Sequence, residues 1–192
     1  MIAIIDYDAG NTNSVQNSLN RLSYESIITR DINELMKADK YILPGVGEAS
    51  SAMNYLKKYK LDEFIKNLKK PILGICLGMQ LMCEYSEEGQ TNCLGIFNTK
   101  VKQFPPVEKV PHMGWNEISN RQGDLFKQIK ANNDVYYVHS YFAEINEDTA
   151  ATCDYILPFS AALQKNNFYA TQFHPEKSAE IGEQILKNFL EL

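Results

Sequence analysis

The 192-residue chain has no Cys-x-x-Cys pair; its four cysteines stand apart at 76, 83, 93 and 153. That spacing offers neither a zinc site nor a thioredoxin-like redox pair. A chain of this length can bury ~70% of its unfolded surface, so its core needs neither disulfide nor metal. Free thiols suit a reducing compartment, and a cytoplasmic protein is expected. Basic clusters are equally scarce. None exceeds Lys57-Lys58-Tyr59-Lys60, and the formal net charge is −5. A nucleic-acid partner would need a basic face, so none is expected, and this run reads as the end or flank of a helix. The longest uncharged stretch, 71–83, is shorter than the ~20 apolar residues of a membrane helix and contains Gly74, Gly78 and Gln80. No membrane association is expected. Met1-Ile2-Ala3-Ile4-Ile5-Asp6 lacks the basic start of a signal peptide. No repeat, low-complexity tract or Gly/Ser-rich linker divides the chain, so residues 1–192 read as one domain.

What is present is ordinary in amount and ordered in pattern. Hydrophobic residues make up 44% and charged residues 22%, the balance of a globular protein. Short apolar runs at 2–7, 24–29, 41–43 and 72–75 read as buried strands. Between them lie helical stripes: Val15, Leu19, Leu22; then Ala52, Met53, Leu56; then Leu61, Phe64, Ile65, Leu68. Asn11 or Asn13 can cap the first helix, and another opens at 79–82. Strands alternating with helices imply a mainly parallel α/β sheet covered on both faces. From 95 to 172 strand signals crowd together, with one helix at 125–129, which suggests added antiparallel strands. Ser178 then caps a last helix carrying Ile181, Ile185, Leu186, Phe189 and Leu190.

Three segments carry chemistry. Gly74-Ile75-Cys76-Leu77-Gly78-Met79-Gln80 runs from a buried strand through a Gly-x-Cys-x-Gly turn into a helix, a nucleophile elbow with Cys as nucleophile. Side chains at 74 and 78 would collide across so tight a turn. The helix N-terminus faces the sulfur, and the Leu77 amide is placed to hold an oxyanion. Gln172-Phe173-His174-Pro175-Glu176 supplies a base with an orienting carboxylate two residues on. Of the three histidines, His112 and His139 read as satisfied polar residues and His174 as the base. Pro44-Gly45-Val46-Gly47 ends a neighbouring strand and can bring backbone N–H groups to a ligand. All three lie at carboxyl ends of strands, where open α/β sheets bind ligands.

These segments resemble the class I, triad-type glutamine amidotransferases. Pro-Gly-Val-Gly (44–47), Val-Pro-His-Met-Gly-Trp-Asn (110–116), Val-His-Ser-Tyr (138–141) and Gln-Phe-His-Pro-Glu-Lys-Ser (172–178) are similar to the branch serving imidazole glycerol phosphate synthesis in histidine biosynthesis. The resemblance covers nearly the whole chain. It implies a flavodoxin-like sheet with extra antiparallel strands. It also implies a glutaminase that needs no cofactor or metal and passes ammonia to a cyclase (synthase) subunit in a heterodimer. Cys76 would be nucleophile, His174 base and acid, and Glu176 its orienter. Gly47, Gln80, Ser140 and Tyr141 would hold L-glutamine, with oxyanion donors from Gly45, Val46, Gly47 and Leu77. His112, Met113, Trp115, Tyr136 and Lys177 would face the partner. The sequence departs from the family pattern at Asp8, Glu48, Ala170 and 154–158, none of which removes a catalytic group. Alternatives are a paralogue feeding a different synthase, such as one amidating a surface sugar, a non-catalytic regulatory subunit, and an amidase or peptidase on the same scaffold.

Overall fold

Short apolar runs stack at the centre of the computed structural model, which describes residues 1–8, 10–129 and 134–192. Strands β1 (Ile2–Ile5), β2 (Ser26–Thr29), β3 (Lys40–Leu43) and β4 (Ile72–Ile75) come first. They alternate with helices α1 (Thr12–Arg21), α2 (Ile32–Leu35), α3 (Ala49–Lys58) and α4 (Leu61–Lys66). Helix α5 (Leu77–Met82) follows β4 directly. Then come β5 (Tyr85–Ser86), β6 (Thr91–Asn92), β7 (Lys100–Gln103), β8 (His112–Glu117), β9 (Asp134–His139) and β10 (Tyr141–Ala143). The chain finishes with β11 (Thr149–Tyr155), β12 (Leu157–Lys165), β13 (Phe168–Thr171) and helix α6 (Ala179–Leu190).

The main sheet runs β11-β12-β13-β4-β3-β1-β2. Its five strands from β2 to β13 are parallel; β12 pairs antiparallel with β13, and β11 pairs antiparallel with β12. The parallel part has the flavodoxin-like order, which reverses between β1 and β3. The period-2 alternation of each strand feeds two cores. Ile4, Ile42 and Leu73 face one side with Val15 and Leu19 of α1 and Ile185 and Phe189 of α6. Ala3, Ile5, Leu43 and Ile72 face the other with Met53, Leu56, Leu61 and Ile65 of α3 and α4. A four-stranded sheet, β10-β7-β5-β6, and the β8–β9 hairpin stand apart from the main sheet.

Several boundaries differ from the sequence reading, each for a local reason. β1 ends at Ile5; Asp6 still donates its N–H to the Thr29 carbonyl, but the Tyr7 hydroxyl turns away to Pro44. Tyr24 donates to Leu19 at the end of α1, so β2 begins only at Ser26. The expected helix at 125–129 is a single 3-10 turn, Asp124–Phe126. Helix α2, capped by Asp31 on Asn33, and the two-residue strands β5 and β6 are too short for a periodic signal. Lys57 and Lys58 lie in the last turn of α3, where cations are favoured. Asn11 and Ser178 stand at the N-cap positions of α1 and α6, but neither side chain caps its helix.

The β8–β9 register sets His112 opposite His139, and both are buried. His139 Nδ1 donates to the Tyr141 carbonyl at 2.7 Å, so its Nε2 accepts from His112 Nδ1 at 2.9 Å. His112 Nε2 in turn accepts from Asn116 at 3.3 Å. With both rings neutral every nitrogen is satisfied. This corrects the placement of His112 on the partner face: its side chain is 4% exposed and stacks on Tyr155. Burial pushes His112 down to about 4 and His139 down to about 3. Above pH 6.5 both are neutral, folded or unfolded. As pH falls from about 6.5 towards 4, the unfolded chain takes up protons that the folded chain refuses, and stability falls. The urea midpoint should fall as pH drops from 6.5 to 5, with both imidazoles still neutral by NMR at pH 5.5. Titration of either ring near 6.5 would contradict this.

Candidate active site

At the end of β4 the chain turns on Cys76, whose φ of 52° and ψ of −106° put a non-glycine residue in a strained conformation. The turn is held from both sides. The Cys76 N–H donates to the Thr171 carbonyl of β13 at 2.8 Å, and α5 starts at the next residue. The two elbow glycines are steric requirements. A Cβ at Gly74 would lie 2.9 Å from the backbone of Gly78 and Met79, and one at Gly78 would overlap the Leu43 carbonyl of β3. The elbow therefore sits tightly against β3.

The loop after β13 brings His174 and Glu176 up beside it. Both side chains are fully buried, and His174 Nδ1 meets Glu176 Oε1 at 2.8 Å. The main chain of this loop is stitched to β9: His174 N–H donates to the Tyr136 carbonyl at 2.9 Å, and Tyr136 N–H donates to Ser178 Oγ at 2.9 Å. Ser178 Oγ also donates to the His174 carbonyl at 2.6 Å, which explains why it does not cap α6. His174 Nε2 is buried and has no hydrogen-bond partner with good geometry, leaving it for Cys76. Burial alone lowers the pKa of this imidazole. Hydrogen bonding and charge from Cys76 and Glu176 outweigh that and raise it to about 10. Such an arrangement can hold a proton beside a sulfur nucleophile and deliver it to a leaving group.

Over the sulfur lies a cavity of about 330 Å³. Val46 and Gly47 form one wall, Val138–Tyr141 with Pro111 another, and Cys76, Leu77, Gln80 and Glu88 the rest. Six of the residues expected to hold substrate or an oxyanion thus share it: Val46, Gly47, Leu77, Gln80, Ser140 and Tyr141. Gly45 does not line the cavity. Its carbonyl accepts the Leu77 N–H at 3.3 Å, so the elbow amide is bonded to the protein itself. Met113 and Trp115 project 57% and 54% exposed from β8. Trp115 meets Tyr136 edge-on at 6.0 Å, and the Lys177 ammonium lies 5.9 Å from the Tyr136 ring centre. Four of the five residues expected at the partner face therefore form one patch.

Three residues of the site were not assigned from sequence. Gln172 is fully buried, with Nε2 3.6 Å from the Cys76 sulfur and Oε1 accepting from Gln80 at 3.0 Å. Gln80 Nε2 also donates to the Tyr141 carbonyl at 2.9 Å, which turns its own oxygen free. Glu88 lines the cavity while one carboxylate oxygen accepts the Ala49 N–H at 2.8 Å; burial raises its pKa. Asn11 donates its side-chain amide to Glu176 Oε1. Gln172 was visible as part of a motif, whereas Glu88 and Asn11 reach the site only through the fold. Asp8, one of the departures from the family pattern, has a φ of 63°, the left-handed region that favours Gly and tolerates Asp. Among the described residues no group of three or more His, Cys, Asp or Glu could hold a metal ion, and no helix is long and apolar enough to cross a membrane.

Residues 3–192 match the model of the family described as glutamine amidotransferase class-I. The chain belongs to that family. The class-I amidotransferase relatives agree along the full length. The chain is 60% identical over 194 residues to the imidazole glycerol phosphate synthase subunit HisH of Bacteroides fragilis, spanning 100% of this chain and 99% of that one. It is 55% identical to the subunit of the same name from Bacteroides thetaiotaomicron, with the same coverage. A solved glutamine amidotransferase superposes with a TM-score of 0.76 at 16% identity, covering 100% of this chain and 98% of the other. At that identity the likeness is one of fold: a class I amidotransferase sheet with parallel and antiparallel strands. The chain is a glutamine amidotransferase.

Proposed function

We infer that this chain is the glutaminase subunit of an imidazole glycerol phosphate synthase, acting in histidine biosynthesis. The pathway rests on the end-to-end 60% identity, and the chemistry on one observation: His174 and Glu176 lie buried 2.8 Å apart behind the strained Cys76. In the proposed reaction the Cys76 sulfur attacks the side-chain carbonyl carbon of L-glutamine, and the carbonyl electrons move to oxygen. His174 gives its proton to the departing nitrogen, and ammonia leaves. His174 then takes a proton from water, the hydroxide opens the thioester, and glutamate is released with the thiol restored. Glu176 keeps the imidazole in the tautomer this needs. The free oxygen of Gln80 and the carboxylate of Glu88 suit the α-ammonium of the substrate, and Ser140 and Tyr141 close the far wall. Gly47, Val46 and Leu77 surround the place where the oxyanion forms. No metal or organic cofactor takes part.

Ammonia protonates in water and stops being a nucleophile, so it is passed to a cyclase subunit in a heterodimer. The patch of Met113, Trp115, Tyr136 and Lys177 suits that contact: exposed aromatic and Met side chains supply interface cores, and Lys177 can pair with an acidic group across it. Through Tyr136 the same patch is hydrogen-bonded to the loop carrying His174. With the Leu77 amide held by Gly45, turning a peptide of the 45–47 loop would free an oxyanion donor. One donor is worth ~10²–10³ in rate. Hydrolysis by the isolated chain is therefore expected to be slow, and to rise at least ~10²-fold with the cyclase subunit and its ligand bound. Trp115→Ala should weaken the complex while Cys76 stays reactive. Steady-state glutaminase assays with and without the cyclase check this. Full activity of the isolated chain, unchanged on mixing, would show that the site is not gated.

A further inference from the structure

Asn11 occupies the N-cap position of α1 with a φ of 81°, yet its side chain makes no capping hydrogen bond. Instead its Nδ2 donates to Glu176 Oε1, the same oxygen that accepts from His174 Nδ1. The amide orientation is dictated: His174 Nδ1 is a donor, 3.5 Å from the Asn11 nitrogen, and the Asn11 oxygen turned that way would face the carboxylate. Among the described residues Glu176 Oε2 has no partner, so the side-chain donors to this fully buried carboxylate are His174 and Asn11. Helix α1 holds the Glu176 turn at a second point, where Ser18 Oγ donates to the Glu176 carbonyl at 3.4 Å.

We propose that Asn11 is a positioning residue of the glutaminase, its amide holding the Glu176 oxygen aimed at His174 Nδ1. This rests on reading Cys76, His174 and Glu176 as the catalytic set. With Oε2 unpartnered, a neutral second donor on the shared Oε1 fixes the rotation of the carboxylate without competing for the proton on His174. The nearby charged groups are His174 and Lys177 on the same turn, the latter drawn to Tyr136, and Arg21, which donates to Ser18 and pairs with Glu183 of α6. Among the described residues no Lys or Arg contacts Glu176, so beside His174 the amide of Asn11 is the side-chain donor that fixes this carboxylate.

Two substitutions separate this role from helix capping. Asp is as good an N-cap as Asn and also tolerates this backbone, so Asn11→Asp should leave the fold intact. It replaces the donor by a second carboxylate facing Glu176, whose like charge turns the Glu176 oxygen away from His174 Nδ1. Asn11→Gly removes the side chain with no penalty at positive φ. With the full chain bound to its cyclase subunit, Asn11→Gly should lower kcat about tenfold with KM within twofold. It should also lower the pKa of His174, read from the pH dependence of kcat, because the Glu176 hydrogen bond and charge that help to raise it are less well aimed. Asn11→Asp should lose more, about 10²-fold at pH 7. In a Glu176→Ala background both should change the rate by less than twofold. Thermal melts check that each variant folds, and the pH dependence of Cys76 alkylation by a glutamine-analogue chloroketone gives a second readout should either melt early. Asn11→Asp with the parent kcat and pH profile would overturn the proposal. Equal losses with and without Glu176 would do the same. Glutaminase activity that survives Cys76→Ala would overturn instead the reading on which it rests.

Discussion

Cys76→Ala should abolish glutamine hydrolysis, by about 10⁴–10⁶ in kcat, while the fold survives; losing the nucleophile of subtilisin costs about 2 × 10⁶. The substitution removes one sulfur from a turn whose shape is set by Gly74, Gly78 and the Thr171 carbonyl, not by the thiol. Glutamine should still bind, because Gln80, Glu88 and the 46–47 wall of the cavity are untouched. No other cysteine can take over. Burial pushes Cys83 well up, and pushes Cys93 and Cys153 up to about 12, so none of the three presents a thiolate near neutral pH. Residual turnover above a thousandth of the parent rate would point to another nucleophile.

His174→Ala should cost nearly as much, and Glu176→Gln distinctly less. His174 is the group that moves protons, and among the described residues no other histidine is free at the sulfur: His139 lines the cavity but is locked neutral between Tyr141 and His112. Glu176 touches the reaction only through His174 Nδ1. In subtilisin, loss of the base costs about 2 × 10⁶ in kcat and loss of the orienting acid about 3 × 10⁴. A gap of one to two orders of magnitude between the two variants is expected here on the same grounds. The measurement is kcat at saturating glutamine with the cyclase present. Equal losses at the two positions would argue that Glu176 takes part in proton transfer.

The architecture was legible wherever a strand is buried on both faces or a helix runs more than two turns. The apolar runs that became β1, β3 and β4, and the stripes of α1, α3 and α6, carry their period in the sequence because packing demands it. The elbow was legible for a different reason: glycines four apart around Cys76 have a steric cause that no surface turn would impose. Other features were hidden because the fold, not the neighbouring residues, decides them. Asn11 and Ser178 look like helix caps by type and position, and tertiary partners draw both away, Asn11 to Glu176 and Ser178 to His174 and Tyr136. His112 lies among residues that face outward, yet strand alternation sends it inward to His139 while Met113 and Trp115 show at the surface. The Leu77 amide reads as an open oxyanion donor until the Gly45 carbonyl is seen against it.

The central claim is that glutamine is opened by a covalent bond to one sulfur at the end of β4. Intact-mass and peptide mass spectrometry after treatment with a glutamine-analogue chloroketone test it most directly. One adduct per chain is expected, on Cys76, blocked by excess L-glutamine and lost in Cys76→Ala. Adducts at Cys83, Cys93 or Cys153 in preference to Cys76, or labelling that glutamine does not compete away, would contradict it.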